Sequence, residues 1–140
     1  KSVIHPRIKQ TDNMTFLAKT TEIISLHVHV TKETQGMINS SFLNHCNKSL
    51  HLINTSRGEI VNENDLVNFL NNNKKSKYAT DVLSEEINGI KNNPIKKYFE
   101  TNQEQVIITP HIGGMTEEAQ NMAYEHAANL LKNAISHSRS

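Results

Sequence analysis

The sequence LHLINTSRGEIV, residues 50–61, begins with a short apolar run and continues through a small polar cluster to an arginine and a glycine. The apolar run predicts a buried strand, and the pattern from Asn62 to about Leu70 predicts a helix behind it. Strand, turn with a charged group and helix are typical of a site at the carboxyl end of a parallel strand, where open α/β sheets bind ligands. Arg57 offers a planar fork of donors that suits a substrate carboxylate, although a surface arginine after a strand has the same pattern.

Two further stretches have the same plan. In QVIITPHIGG, residues 105–114, an apolar strand ends at a proline, His111 follows, and two glycines let the backbone approach a ligand. In KYATDVLSEE, residues 77–86, a strand ends in carboxylates. Because neighbouring parallel strands end at one edge of a sheet, an arginine, an acid and a histidine are expected to meet there. Such a set provides a substrate anchor, an orienting carboxylate and an acid/base group.

In order and spacing, these stretches resemble the D-isomer-specific 2-hydroxyacid dehydrogenases, most closely the D-3-phosphoglycerate dehydrogenase branch. Residues 52–58 resemble the arginine motif of that family, Asp81-Val82 with Glu86 its aspartate and glutamate motif, 109–120 its histidine motif and the following helix, and 25–31 the segment before them. The resemblance runs from about Ser2 to Ile135. Each motif alone is weak, whereas four in order are specific.

The resemblance implies a catalytic set. Arg57 binds the substrate carboxylate, His111 exchanges a proton with the 2-oxo oxygen, and Glu86 holds the imidazole in its protonated form. Asp81 hydrogen-bonds the nicotinamide carboxamide, although a cap or a salt bridge would also explain an acid at that position. Which glutamate faces the histidine stays open, because Glu85 adjoins Glu86 and Ile87 stands where the family usually has proline. The residues implied to bind the coenzyme are His5, His27, Val28, Thr55, Ser56, Arg57, Asp81, His111, Gly113 and Gly114.

Alternating strands and helices predict an α/β fold, a Rossmann-like parallel sheet with flanking helices. The expected strands are 2–5, 22–28, 50–54, 78–82 and 106–109, and the expected helices are 11–20, 39–46, 62–70, a turn at 95–99, and a final helix capped by Thr116. The strand at 22–28 has the composition of a strand covered on both faces. The apolar stripe of the final helix, which includes Met122, Leu130 and Leu131, is expected to lie in the core or at a domain interface.

A phosphate-binding loop is missing from the sequence. No G-x-G-x-x-G occurs, and the first glycine is Gly36. Compared with the family, residues 1–140 are expected to form a partial dinucleotide-binding domain that carries the catalytic set but lacks the first strand, the glycine-rich loop and the substrate domain. Because the missing strand is central in the usual order, the strands at Ile4 and Ile24 are not expected to join the strand at Leu52. A missing N-terminal segment or a companion chain would then complete the sheet, and the chain alone is expected to be poorly stable and inactive.

The resemblance implies NAD as the coenzyme and a small 2-hydroxyacid or 2-oxoacid as the substrate. NADP also stays open, because His5 stands where the family has an acid for the ribose, and Arg7 follows closely. The favoured substrate is 3-phosphoglycerate, oxidised in the first step of serine synthesis, and the favoured assembly is a homodimer. The alternative is a non-catalytic nucleotide-binding or interaction module derived from this family.

Composition excludes several other classes of function. A net charge of +1 gives no argument for a nucleic-acid or anionic-membrane surface. No apolar run is long enough to span a bilayer, and no signal-peptide pattern opens the sequence. Cys46 is the only cysteine, which favours a core position and a reducing, cytoplasmic compartment. His27 and His29 alternate along an extended segment, but their spacing matches no known metal site, so no metal is expected.

Overall fold

The computed structural model describes residues 7–86, Gly89 and residues 92–137. The chain divides into two compact units on either side of the bond between Ile108 and Thr109. The first unit contains strands β1 (Ile23–Leu26), β2 (His51–Asn54), β3 (Lys77–Thr80) and β4 (Val106–Ile108). Its helices are α1 (Met14–Thr20), α2 (Ser40–Leu43), α3 (Glu63–Asn72) and α4 (Pro94–Phe99), with a 3-10 turn at Gly58–Ile60. The second unit contains helix α5 (Glu117–His137).

The four strands form one parallel sheet in the order β1-β2-β3-β4. Leu52 of β2 lies between Ile24 of β1 and Tyr78 of β3. The expectation that the strand at Ile24 would not join the strand at Leu52 is therefore wrong. The connection through α2 is long enough for a parallel crossover, and strands joined by such a crossover commonly pair as neighbours. The predicted strand at 2–5 lies outside the described residues.

Within the first unit, the described helices cover one face of the sheet. Side chains of that face join those of α2, α3 and α4 in one hydrophobic core, with Leu43, Leu52, Leu66, Tyr78 and Ile95 almost completely buried. Burial alternates along β1, where Ile24 and Leu26 are buried and Ile23 is 63% exposed. Ile107 of β4 is also 63% exposed. Within the first unit, the expectation that the strand at 22–28 is covered on both faces is therefore wrong, because the core formed with α2, α3 and α4 leaves Ile23 exposed.

Asparagine side chains begin four of the described helices. The side-chain oxygen of each accepts the backbone N–H three residues later, which pairs one of the donors that a helix start leaves free: Asn13, Asn39, Asn62 and Asn93. The caps predicted at 39 and 62 are confirmed. The helix predicted from residue 11 begins three residues later, at Met14, because Asn13 supplies its cap. The abundance of asparagine thus has a local structural reason.

Most predicted elements are present with shorter bounds. The helix predicted over 39–46 ends at Leu43, because the chain then tightens into bonds from His45 N to Phe42 O and from Cys46 N to Leu43 O. The strand predicted over 78–82 runs over Lys77–Thr80. It ends there because Thr80 Oγ1 accepts the Val82 N–H at 3.2 Å and turns the chain out of the sheet. The helical turn predicted at 95–99 is α4, lengthened by one residue at its start.

Helix α5 is capped as predicted, since Thr116 Oγ1 accepts the Ala119 N–H at 3.2 Å. Its apolar stripe is exposed, with Met122 at 72%, Leu130 at 57% and Leu131 at 62%. The prediction that this stripe lies in the core or at a domain interface stays a prediction. Among the described helices, none combines the length and the apolarity needed to cross a bilayer.

Candidate functional site

The turn after β2 presents Arg57 and is shaped by a buried asparagine. Asn54, which is 0% exposed, accepts the Ser56 N–H at 3.1 Å and donates from Nδ2 to the Arg57 carbonyl oxygen at 2.9 Å. The Ser56 hydroxyl donates to the Leu26 carbonyl oxygen at 2.7 Å, so the turn is also tied to the end of β1. The Arg57 side chain is exposed, and its Nη1 donates to the Ser56 carbonyl oxygen at 2.6 Å. The backbone under Arg57 is therefore held from two sides while the guanidinium faces solvent.

The sequence interpretation missed Asn54 as a site-building residue. The available indication was an amide side chain at the last position of a buried strand, where an apolar residue would be usual. Burial without partners would cost an amide about 1–3 kcal/mol. Its bonds to Ser56 and Arg57 offset that cost and select one turn geometry.

Gly58 brings the Arg57 turn into backbone contact with the loop after β3. A Cβ atom at position 58 would lie 2.0 Å from the Leu83 carbonyl carbon and 2.1 Å from the Ser84 nitrogen. These separations are far below van der Waals contact, so only glycine permits this approach. The structure thereby packs the turn of Arg57 against the loop that leads to Glu86.

The loop after β3 begins with a buried acid. Asp81 is 8% exposed, and its N–H donates to the Asn54 carbonyl oxygen at 3.1 Å, beside the β2 turn. Glu86 is half-buried, and its Oε1 accepts the Leu83 N–H at 2.5 Å. Glu85 is exposed and has a φ of 60°, a left-handed conformation that non-glycine residues rarely adopt. The two adjacent glutamates therefore differ: the loop holds Glu86, and it directs Glu85 to solvent.

Glu63, the first residue of α3, is hydrogen-bonded to the same loop. It is 5% exposed and accepts the Ser84 N–H at 2.9 Å, the Ser84 hydroxyl at 2.5 Å and Asn93 Nδ2 at 2.5 Å. From sequence alone Glu63 is a first-turn acid that interacts favourably with the helix dipole. That interpretation is incomplete, because the pairing with Ser84 and Asn93 depends on tertiary contacts that no local pattern encodes.

The second unit holds the histidine of the predicted set. His111 is exposed, has a φ of 55°, and donates from its backbone N–H to the Thr109 carbonyl oxygen at 3.0 Å. A left-handed non-glycine residue is uncommon and is found disproportionately at functional sites. Gly113 and Gly114 are exposed, and a Cβ atom at Gly114 would meet no atom within 4 Å. Their expected close approach to a ligand stays a prediction.

The remaining predicted coenzyme residues lie near the carboxyl end of β1 and β2, with one exception. His27 and Val28 follow β1, where His27 Nε2 lies 2.7 Å from Ser25 Oγ and Val28 is 38% exposed. Thr55 is exposed and directly follows β2. His5 lies outside the described residues, so its expected position at a strand tip stays a prediction.

The described residues fit one end of a dinucleotide. Asp81, which directly follows β3, and the exposed Thr55, which directly follows β2, place a carboxyl and a hydroxyl group at the carboxyl edge of the sheet, and both groups are chemically suited to a carboxamide. Gly58, the first residue of the 3-10 turn, cannot cradle a phosphate, because the Leu83–Ser84 backbone occupies the space beside it. The residues therefore suit the nicotinamide end of NAD, and the pyrophosphate needs groups from elsewhere.

Metal and thiol chemistry find no support in the described part of the chain. No three His, Cys, Asp or Glu residues within it are grouped so that they could hold a metal ion. Cys46 is half-buried, and its Sγ lies 3.6 Å from the Phe42 carbonyl oxygen. Burial raises the pKa of the Cys46 thiol to about 11, so the thiol stays protonated near neutral pH. This agrees with a packing role for Cys46.

Residues 3–113 match the family profile described as D-isomer specific 2-hydroxyacid dehydrogenase, NAD binding domain. The chain is 38% identical over 127 residues to a glyoxylate reductase of Thermofilum pendens, covering 90% of this chain and 35% of that protein. It is 36% identical over 115 residues to a D-3-phosphoglycerate dehydrogenase of Dictyostelium discoideum, covering 80% of this chain and 27% of that protein.

Comparison with a solved structure supports the same assignment of the fold. The D-lactate dehydrogenase from Aquifex aeolicus, solved in complex with NAD and lactic acid, superimposes with a TM-score of 0.69 at 27% sequence identity. The match covers 94% of this chain and 45% of that chain. The chain therefore spans less than half of each of these three proteins. The predicted Rossmann-like α/β fold is confirmed.

Proposed function

The chain belongs to the D-isomer-specific 2-hydroxyacid dehydrogenases, within their NAD-binding domain, and we propose that it contributes the catalytic side chains of an enzyme that interconverts a D-2-hydroxyacid and a 2-oxoacid. The observation that carries this proposal is the backbone contact at Gly58. It packs the turn of Arg57 against the loop of Glu86, as a shared active site requires. The remainder of the sheet and the substrate domain come from a segment or chain beyond these residues.

In this proposal Arg57 binds the substrate carboxylate and polarises the neighbouring carbonyl. Its exposed guanidinium is a planar fork of donors that can make paired hydrogen bonds to a carboxylate. Asp81, together with His27, Val28, Thr55, Ser56, Gly113 and Gly114, lines the nicotinamide ring. NAD supplies the hydride acceptor or donor, and the protein supplies orientation and charge.

His111 provides the proton that matches the hydride. In reduction it gives a proton to the 2-oxo oxygen while C2 receives a hydride, so that the carbonyl becomes a secondary alcohol; in oxidation it takes the proton back. Glu86 holds the imidazole and orients it towards the 2-oxo oxygen. The half-buried and hydrogen-bonded position of Glu86 supports it for this role over the exposed Glu85.

We favour 3-phosphoglycerate as the hydroxyacid, with oxidation beginning serine synthesis in the cytoplasm and the enzyme acting as a homodimer. Similarity to the phosphoglycerate dehydrogenase of Dictyostelium discoideum supports this choice, whereas the Thermofilum pendens relative favours glyoxylate. A test compares reduction of the 2-oxoacid of 3-phosphoglycerate, glyoxylate and pyruvate, with NADH and NADPH, by the chain with and without a companion segment that contains G-x-G-x-x-G. Sedimentation of the active form measures the number of chains.

Variants of the proposed catalytic residues give the decisive result. Arg57→Gln, Glu86→Gln and His111→Asn are expected to lower kcat/KM by about 100-fold or more, since acid/base and carboxylate-binding groups each contribute that order of magnitude. Lys32→Gln, which removes an exposed cation from a loop, serves as the control. If no 2-oxoacid is reduced in any combination while a dinucleotide still binds, the chain is instead a non-catalytic nucleotide-binding module. Equal or tighter binding of NAD than of NADP would count against a role for NADP.

A further inference from the structure

We propose that Glu63 is a positioning residue, whose buried carboxylate sets the loop that presents Glu86. This proposal rests on the proposed dehydrogenase function, because a catalytic Glu86 is what gives the loop its task. Glu63 begins α3, three residues after the end of the 3-10 turn that follows Arg57, and it takes no part in the chemistry described above. Its three hydrogen-bond donors all come from elsewhere in the chain sequence, at Ser84 and Asn93.

Two consecutive backbone N–H groups of the loop point to two different glutamates. The Leu83 N–H donates to Glu86 Oε1 at 2.5 Å, within the loop itself. The next N–H, of Ser84, donates to Glu63 Oε1 at 2.9 Å, outside the loop. The backbone segment that donates a hydrogen bond to Glu86 is therefore itself held by a hydrogen bond to Glu63.

The position favours a carboxylate because the Ser84 N–H and Asn93 Nδ2 are obligatory donors, one to each carboxylate oxygen. Glu63 Oε2 accepts both the Ser84 hydroxyl and Asn93 Nδ2, each at 2.5 Å. A buried carboxylate is costly unless such donors surround it, and these contacts supply them. Glutamine has almost the same shape, but its NH₂ group at the Oε2 position would face the Asn93 NH₂ donor, and the Ser84 hydroxyl would have to turn from donor to acceptor.

The loop is consequently fixed from two directions. On the side of Arg57, the loop packs directly against Gly58, where an added Cβ atom would clash with Leu83 and Ser84. Glu63 holds it on the side of α3 and connects it to Asn93, whose Oδ1 accepts the Lys96 N–H at 3.0 Å and caps α4. Without the Glu63 carboxylate, the loop keeps its packing contact with Gly58 but loses its hydrogen bonds to α3. We therefore expect the loop to move and Glu86 to move with it.

A matched pair of variants tests this role. Glu63→Gln removes one carboxylate from the first turn of α3, and Asp65→Asn removes another from the same turn. Asp65 Oδ2 accepts the Ser40 N–H at 2.8 Å, so it holds α2 and not the loop. The two changes alter net charge and the charge at the helix start equally, and they differ in the segment that each releases. Ser84→Ala, which removes one of the three donors, is a milder variant acting in the same direction.

The readouts are amide hydrogen exchange at Leu83 and Ser84, and steady-state kinetics of the active enzyme that contains this chain. For Glu63→Gln we expect both amides to exchange about tenfold faster or more, because the loop opens locally. We expect kcat to fall about 10- to 100-fold through misplacement of Glu86, with the KM for coenzyme within about twofold of the parent. Asp65→Asn is expected to leave exchange at both amides and kcat unchanged.

Two results would overturn the role of Glu63. One is faster exchange at Ser84 with unchanged exchange at Leu83, because Glu63 would then hold only its direct partner. The other is an unchanged kcat in Glu63→Gln despite lower stability, which describes a purely structural residue. Absence of turnover in the parent enzyme with every 2-oxoacid would instead refute the proposed function, and the exchange experiment would still report whether Glu63 sets the loop.

Discussion

At the scale of single residues, close approach at one glycine couples two segments of the candidate site. Gly58→Ala places a methyl group into the Leu83–Ser84 backbone, which cannot yield as a flexible side chain would. We expect the free energy of unfolding to fall by about 1–3 kcal/mol, which is the usual cost of overpacking. Urea denaturation of the chain together with its companion segment, the form expected to unfold cooperatively, measures this change and those predicted below.

Gly114→Ala is the control for this substitution, since a methyl group there would meet no atom within 4 Å. Its free energy of unfolding is expected to stay within about 0.5 kcal/mol of the parent value. Equal stability of Gly58→Ala and the parent would show that the two loops do not press together as described.

Tyr78 gives a pH-dependent prediction. Burial raises the pKa of its phenol from 10.0 to about 12, while Thr80 and Asn54 lower it by smaller amounts. Its hydroxyl is buried and lacks a hydrogen bond of normal geometry among the described residues. Tyr78→Phe is therefore expected to stabilise the chain at pH 8 by about 1 kcal/mol, since it removes an unpaired polar group.

The advantage of Tyr78→Phe is expected to grow in alkali. Between pH 10 and 12 the unfolded parent loses the phenol proton and the folded parent keeps it. The unfolded state then binds fewer protons, so parental stability falls as pH rises, by up to about 1.4 kcal/mol per pH unit. The variant lacks this loss. Urea denaturation at pH 8 and pH 11 measures both differences, and an identical difference at the two values would contradict the burial of an ionisable group here.

At the scale of elements, the helix starts depend on asparagine. Asn62 Oδ1 accepts the Asp65 N–H at 3.2 Å at the start of α3. Asn62→Ala is expected to lower the free energy of unfolding by about 1 kcal/mol, the typical cost of losing such a cap. Asn72→Ala, at the exposed last residue of the same helix, is the control and is expected to change it by less than about 0.5 kcal/mol. Equal effects at the two ends would assign the cost to helix propensity instead of capping.

In the first unit, helices cover one of the two faces of the sheet. β1 is an edge strand of the described sheet, and Ile23 and Ile107 are each 63% exposed. Exposed apolar surface on a sheet and its open edge favours association with another segment or chain. This agrees with the expectation that other residues complete the sheet.

At the scale of the whole molecule, we predict that the 140-residue chain alone binds a hydrophobic dye, melts with low cooperativity and shows no turnover. The double variant Ile23→Thr and Ile107→Thr is expected to bind less dye, because it removes apolar surface from the open face. A companion segment with a glycine-rich loop is expected to raise the midpoint of thermal unfolding and suppress dye binding. A cooperative melt together with turnover by the unaccompanied chain would refute this prediction.

The sequence by itself determined the class of fold and the family. Apolar runs at 50–54 and 106–109, with helical periodicity between them, predict parallel strands and crossovers because burial and backbone geometry act locally. Asn39 and Asn62 were recognisable as caps for the same reason. The arginine, glutamate and histidine motifs identified the family because chemistry at strand ends depends on residue type and spacing.

Only the tertiary structure decided how those motifs are held. The direct pairing of Ile24 with Leu52, the contact of Gly58 with Leu83 and Ser84, and the pairing of Glu63 with Ser84 and Asn93 join residues far apart in the chain. No local pattern distinguishes a first-turn glutamate at a helix dipole from one buried against a distant loop. The difference arises because a buried carboxylate is stable only where the folded chain brings donors to it.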